Sequence, residues 1–287
     1  MTRAALLVLV LLLVGAGCTA PPAGDTYRVG DDGRLVLNIA PEGGPTVEVL
    51  NRTDTFTLSR LVFSGSGVPV TAYLGAPLRP AAGVVYVPGA NEPISGHEER
   101  FRTWAAAGFA FLYLDVRGNG FETPGDRADL GVEYAQFARG EWPQSFRIVA
   151  DAVRARAYLD KAYGVPVWAV GSSNGGRYAA VAAAVDTEFA GYAGVSTSGF
   201  GPLDGVGAGP GQFLASIDPG STIGAISPRP VLLYHAPADP VIPYADGQAL
   251  FQAAREPKTF VPFQGSHGID PRVDADLIGR LTQVYAR

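Results

Sequence analysis

The stretch Val167-Trp168-Ala169-Val170-Gly171-Ser172-Ser173-Asn174-Gly175-Gly176-Arg177 constrains this chain more than any other. An apolar run rich in β-formers halts at a glycine, two serines and two glycines follow, and an alanine-rich segment of helical character comes next. A strand, a tight turn and a helix in that order put Ser173 at the apex, inside Gly171-x-Ser173-x-Gly175, and expose its oxygen at the sheet edge. The small residues have a mechanical reason. The turn is strained, and side chains at Gly171 and Gly175 would run into the neighbouring strand and helix. Ser172 does not meet the pattern, because it would need glycine at Val170 and Asn174. In a chain with 37 glycines the pattern alone is weak, so the decision rests on whether other segments supply the partners a serine needs.

The length suits one large domain, or two small ones, with a sizeable core. Apolar residues make up 47% and charged residues 17% of the chain, a globular composition that excludes general disorder. The net charge of −5 leaves no basic footprint for nucleic acid. The single cysteine, Cys18, excludes an intramolecular disulfide framework.

The position of that cysteine has its own meaning. Met1-Thr2-Arg3 is a short positive start, and Ala4 to Gly17 is an apolar run of 14 residues, below the roughly 20 needed to span a bilayer as a helix. It has the length of a signal-peptide core. The run ends in Val14-Gly15-Ala16-Gly17-Cys18, and this segment resembles a prokaryotic lipoprotein signal, although Gly15 stands where a larger aliphatic residue is usual. The resemblance implies a signal peptide over 1–17, lipid on Cys18, a Pro/Gly/Ala-rich tether over 18–26 and a place outside the cytoplasm, anchored to the membrane. Secretion without lipid is the alternative.

From Tyr27 to Leu74 short β-prone runs (Leu35 to Ile39, Thr46 to Leu50, Phe56 to Phe63, Pro69 to Leu74) alternate with Gly/Asn/Asp/Ser turns, and Ser64-Gly65-Ser66-Gly67 reads as a hairpin loop. After Ala82 the pattern changes. Continuous apolar strands at Gly83 to Val87, Phe109 to Leu114, Val165 to Val170, Gly191 to Ser196 and Val231 to His235 alternate with helices at Glu98 to Ala107, Phe146 to Tyr163, Arg177 to Ala184 and Ala245 to Arg255. A short strand at Thr259 to Phe263 and a helix at Val273 to Tyr285 close the chain. The expectation is an α/β fold over 27–287, its sheet mostly parallel and covered on both faces, with antiparallel strands at the N-terminal side. The Gly/Pro/Ser-rich segment 200–230 is a candidate small cap. Ligands in such sheets bind past the carboxyl ends of the strands.

A serine hydroxyl needs a base, and the chain offers His97, His235 and His267. His267, in Gln264-Gly265-Ser266-His267-Gly268, follows the last strand on a glycine-flanked loop that can reach across the sheet edge. His235 ends a buried strand and reads as a core or supporting residue; His97 precedes a helix. An imidazole base needs an orienting carboxylate. Asp239 lies just past the Val231 to His235 strand, whereas Asp246 is explained as a helix N-terminal residue and Asp270 as a turn or cap. The chain order Ser173, Asp239, His267, with gaps of 66 and 28 residues, is one of the known triad orders. An oxyanion would be held by the Asn174 N–H and by the turn Pro88-Gly89-Ala90-Asn91, with Ala90 preferred as the second donor. The three histidines are scattered and give no metal motif, and no cofactor is implied.

These segments, with Asp115-Val116-Arg117-Gly118-Asn119-Gly120 and Asp239-Pro240-Val241-Ile242-Pro243, resemble the α/β-hydrolase superfamily from about Val62 onward. The N-terminal strands and the lead-in from Ile217 to Pro230 are similar to the prolyl-oligopeptidase-like and dienelactone-hydrolase-like branches. Pro88 replaces the histidine common before the oxyanion glycine, and Ser173 replaces the cysteine of dienelactone hydrolases. The resemblance implies that Asp115 and Arg117 pin a loop beside the elbow. It also implies a serine hydrolase acting on a small carboxylic ester through an acyl-enzyme. A peptidase, amidase or acyltransferase with the same triad is an alternative, as is a hydrolase-fold surface protein that only binds.

Overall fold

The computed structural model describes residues 24–41 and 43–285; the candidate signal segment and Cys18 lie outside them. Among the described residues no helix is long and apolar enough to cross a membrane.

Strands β1 (Thr26–Val29) and β2 (Leu35–Asn38) pair antiparallel as a separate ribbon. The main sheet has nine strands: β3 (Thr46–Arg52), β4 (Phe56–Phe63), β5 (Val70–Pro77), β6 (Ala82–Val87), β7 (Phe109–Leu114), β8 (Val167–Ser172), β9 (Phe189–Val195), β10 (Val231–His235) and β11 (Lys258–Pro262). Their order is β11-β10-β9-β8-β6-β7-β5-β4-β3. The six from β7 to β11 in that row run parallel, and β5, β4 and β3 add an antiparallel flank. The β4–β5 hairpin closes around the predicted Ser64–Gly67 loop, with Phe63 opposite Val70.

The continuous apolar runs make sense once both faces are covered. In β6, Val85 and Val87 point into one core and Val84 and Tyr86 into the other. The first core is roofed by α3 (Gln144–Tyr163) and α4 (Ser173–Val185) through Phe146, Val149, Leu159 and Ala179. The second is closed by α1 (Glu98–Ala106) and α8 (Pro271–Tyr285) through Phe101, Trp104, Leu277 and Leu281. Each such Val, Leu or Phe side chain, fully buried, contributes about 1.5–3 kcal/mol. Helix α7 (Tyr244–Ala253) links β10 to β11.

Segment 200–230 contributes α5 (Ala208–Ile217), α6 (Pro219–Thr222) and a 3-10 turn at Ile223–Ile226. Its Phe213, Ile217, Ile223 and Ile226 are buried in the first core. Like α5 and α6, helix α2 (Leu130–Ala138) has no counterpart among the predicted helices, here because its polarity is inverted. Its buried residue is Glu133, while Leu130 and Val132 are exposed. Glu133 accepts from the Ser145 N–H at 2.8 Å and from the Ser145 hydroxyl, and Asp129 caps the helix through the N–H groups of Gly131 and Val132.

Sheet topology selects the place for chemistry. From β6 the chain steps to β7 on one side and later returns to β8 on the other, so the strand order reverses between β6 and β8. Connections leaving these two strands diverge and open a crevice at their carboxyl ends. The register pairs Val87 with Gly171, so both strands stop at one level. The loop after β6 and the turn after β8 therefore emerge side by side.

Candidate active site

The turn after β8 is as tight as its glycines suggest. Ser173 has φ 51°, in the left-handed region that costs a non-glycine residue about 1 kcal/mol or more. A Cβ on Gly175 would overlap the Val87 and Pro88 carbonyl oxygens, and one on Gly171 would sit 2.5 Å from the Gly175 carbonyl oxygen. Close approach of backbone to backbone, not flexibility, requires glycine at both positions. The strain turns Ser173 out of the strand line and toward the crevice.

Three loops from three strand ends meet there. His267 Nε2 lies 2.8 Å from Ser173 Oγ, and His267 Nδ1 lies 2.9 and 3.0 Å from the two Asp239 carboxylate oxygens. A carboxylate only accepts, so Nδ1 carries the proton and Nε2 is free to accept from the serine hydroxyl. The Asp239 side chain is fully shielded from solvent. It also accepts from the N–H groups of Val241 and Ile242 at 2.9 and 3.0 Å. Burial pushes its carboxyl up, but those two N–H groups and the His267 ring outweigh it and hold the group below the ordinary carboxylate value. Asp239 is therefore the fixed anion of the site.

The other histidines lie apart from the serine. His235, 1% exposed, places Nε2 3.0 Å from the Ile242 carbonyl oxygen, which fixes that nitrogen as a donor. It lies under the acid loop and braces it. His97 sits beside Glu92, with Nε2 3.5 Å from a carboxylate oxygen. Among the alternative acids, Asp270 binds Arg272 in a bidentate pair and Asp246 lies in the first turn of α7.

Asn174 is the second residue of α4, where backbone N–H groups have no partner inside the helix. In the loop after β6 the Gly89 N–H is taken by Glu92 at 2.8 Å. Among the described residues the Ala90 N–H has no acceptor. The Asp115-to-Gly120 motif follows β7 and secures its neighbours. Asp115 accepts from the Glu122 and Thr123 N–H groups at 2.7 and 2.6 Å. Arg117 makes a buried bidentate pair with Asp151 of α3, at 2.6 and 3.2 Å. On the same sheet edge, past β9 and β10, Phe200, Leu203, Asp246 and Leu250 line a cavity of 380 Å³. The Arg177 guanidinium stands 5.0 Å over the Phe200 ring. Among the described residues no group of three or more His, Cys, Asp or Glu side chains could hold a metal ion.

No model of a known protein family matches the chain. Solved structures do. An acetyl xylan esterase from Paenibacillus sp. R4 superposes with TM-score 0.68 over 84% of this chain and 88% of its own, at 19% identity. Acetyl xylan esterase 1 from Thermoanaerobacterium sp. JW/SL YS485 gives 0.65 over 82% and 86%, at 18% identity. The chain has the α/β-hydrolase fold. A cold-adapted esterase from an Arctic intertidal metagenomic library shares the hydrolase fold as well, with TM-score 0.60, 16% identity and coverage of 84% and 97%. In sequence, the uncharacterized protein YfhR of Salmonella typhi is 43% identical over 65 residues. This hydrolase-fold chain spans about a fifth of that relative's length, the match covering 20% of it.

Sequence reasoning passed over Glu92 and Tyr86, which with Ser172 form a mostly buried hydrogen-bonded cluster beside Ser173. The one available signal was an acidic residue in Gly89-Ala90-Asn91-Glu92-Pro93, directly past a strand with no polar position of its own except Tyr86.

Proposed function

We propose that this protein is a serine hydrolase that cleaves carboxylic esters through an acyl-enzyme. The unbroken hydrogen-bond chain from Ser173 Oγ through His267 to Asp239 carries the reading. Ser173 Oγ attacks the ester carbonyl carbon while its proton passes to His267 Nε2, and the carbonyl electron pair moves onto oxygen. Asp239 holds the imidazole in the reactive tautomer and stabilises the imidazolium. The Ala90 and Asn174 N–H groups hold the oxyanion. Collapse expels the alkoxide, which takes the proton from His267, and water then attacks the acyl-serine by the same route. The solved structures of similar fold that are esterases, two of them acetyl xylan esterases, support an ester over an amide.

A fluorophosphonate probe, which traps an activated serine, is expected to label the wild-type protein and not Ser173→Ala. Equal labelling of both would remove Ser173 from its role, and no labelling of either would favour a protein that only binds. A panel of acetyl, butyryl and octanoyl esters beside the matching anilides is expected to favour acetyl esters; anilide turnover rivalling ester turnover would move the reading to an amidase.

The N-terminal segment supports an extracytoplasmic, lipid-anchored location. In a bacterial host that processes lipoproteins, the full chain is expected to take up labelled palmitate and to sediment with membranes. Cys18→Ala is expected to do neither; a variant that still carries the label would sink the assignment of Cys18.

A further inference from the structure

Beside Ser173 lies a mostly buried polar cluster that proton transfer does not use, centred on Glu92. Its Oε2 accepts from the Gly89 N–H at 2.8 Å and from the Ser172 hydroxyl at 2.8 Å, and its Oε1 accepts from the Tyr86 hydroxyl at 2.6 Å. The Glu92 main chain is tied too, its carbonyl accepting from the Tyr113 hydroxyl at 2.7 Å. One carboxylate thus joins three pieces of structure: strand β6, the loop after it, and the residue before the elbow serine.

The peptide between Gly89 and Ala90 is the one that matters. Its N–H belongs to Ala90 and its carbonyl to Gly89. In a trans peptide these point in opposite directions, so whatever holds the Gly89 carbonyl aims the Ala90 N–H. The Asn119 amide, on the loop after β7, donates to that carbonyl at 3.0 Å. Glu92 holds the N–H on the other side of the same glycine. Gly89 is thereby gripped on both sides, close enough to the elbow that a Cβ on it would stand 3.2 Å from the Ser173 Cβ.

The carboxylate has its own support. Arg100 lies 3.9 Å from Glu92 Oε1, its guanidinium 4.3 Å from the Tyr86 ring centroid, and it is anchored to Asp274 of α8 by bonds of 2.7 and 3.0 Å. Burial, with the nearby Glu92 charge, pushes the Tyr86 hydroxyl well above its ordinary value, so it stays a donor.

We propose that Glu92 is a positioning residue for the oxyanion hole: with Asn119 it locks the Gly89–Ala90 peptide against the elbow so that the Ala90 N–H faces the oxyanion formed at Ser173. The inference rests on the serine-hydrolase reading above. It differs from a purely structural ion-pair role in what the substitutions do. A glutamine at 92 keeps one oxygen to accept from the Gly89 N–H and Ser172, and its amide donates to the Tyr86 oxygen, so the geometry survives without the charge. An alanine leaves the Gly89 N–H without its acceptor, while the Asn119 amide and the main-chain N–H of residue 92 still hold the Gly89 carbonyl.

The test compares steady-state hydrolysis of an acetyl ester by wild type, Glu92→Ala, Glu92→Gln and Asn119→Ala, alongside inhibition by an alkyl boronic acid whose tetrahedral serine adduct presents an oxygen to the hole. Glu92→Ala is expected to lose about 10²-fold in kcat with KM within about threefold, and to lose boronate affinity by a similar factor. Glu92→Gln is expected to stay within about fivefold of wild type. Asn119→Ala, which loosens the same peptide from the other side, is expected to lose about tenfold in kcat, and it decides the matter if Glu92→Ala fails to fold. Unchanged kcat in the folded variants, a loss confined to KM, or equal losses in Glu92→Gln and Glu92→Ala would overturn the clamp. Wild-type labelling by the fluorophosphonate is read first: an unlabelled wild type fails the hydrolase reading and the clamp with it, whereas a labelled wild type with undiminished variants fails the clamp alone.

Discussion

Replacing Ser173 with alanine is expected to lower kcat for an acetyl ester by about 10⁶-fold, and His267→Ala by a similar factor, with the double variant no worse than either. The reason is the shared proton path of the proposed mechanism. Ser173 Oγ and His267 Nε2 are 2.8 Å apart, and neither group performs its step without the other, so the two losses are one loss measured twice. The activity that remains would come from binding and from the backbone donors at Ala90 and Asn174, which both substitutions leave intact. Additive losses, each factor multiplying the other, would show that the two side chains act on separate steps and would sink the shared path. Thermal unfolding of the same variants is the necessary control, because Ser173 also occupies the strained turn.

Asp239→Asn is expected to lower kcat by about 10⁴-fold while the fold persists. The asparagine oxygen can still accept from the Val241 and Ile242 N–H groups, but its amide can donate to His267 Nδ1. That would leave the ring proton on Nε2, where the base must be empty. The same substitution reads stability against pH. The folded-state carboxyl of Asp239 is depressed, so the unfolded chain binds its proton first as pH falls. The carboxylate therefore contributes stability that is complete above the unfolded value and fades as pH drops below about 4 toward the folded value. The urea midpoint of wild type minus that of Asp239→Asn is expected to shrink over this acid range and to be constant from pH 6 to 8. A difference that grows on acidification would reverse the sign and show that the carboxyl is not held as an anion.

Different parts of this molecule were legible in the sequence to different degrees. Strands buried on both faces, such as Phe109 to Leu114, announce themselves as unbroken apolar runs, and the structure has them at those positions. The helix at Leu130–Ala138 does not, because it buries a glutamate and exposes its aliphatic residues. Nor does β1, whose four residues alternate between exposed and half-buried. Strand β3 is exposed along its whole length, so no periodicity could tell which edge of the sheet it forms. In the site, the residues at strand ends were readable from their position relative to apolar runs. Glu92 was not, because its value comes from Tyr86 and Ser172, which bind its carboxylate from two strands, and from Asn119, which holds the neighbouring Gly89 carbonyl.

Local pattern and spacing by themselves determined the fold class, the strained turn at Ser173 and the short list of residues able to serve it, because these depend on period, residue size and order along the chain. Only the tertiary structure decided the rest: the reversal of strand order between β6 and β8, the meeting of Asp239 and His267 at one serine, and the two-sided grip on Gly89. Hydrogen bonds of 2.8 to 3.0 Å between residues 28 to 94 positions apart are set by how sheet and helices pack, and sequence separation carries no information at that length scale.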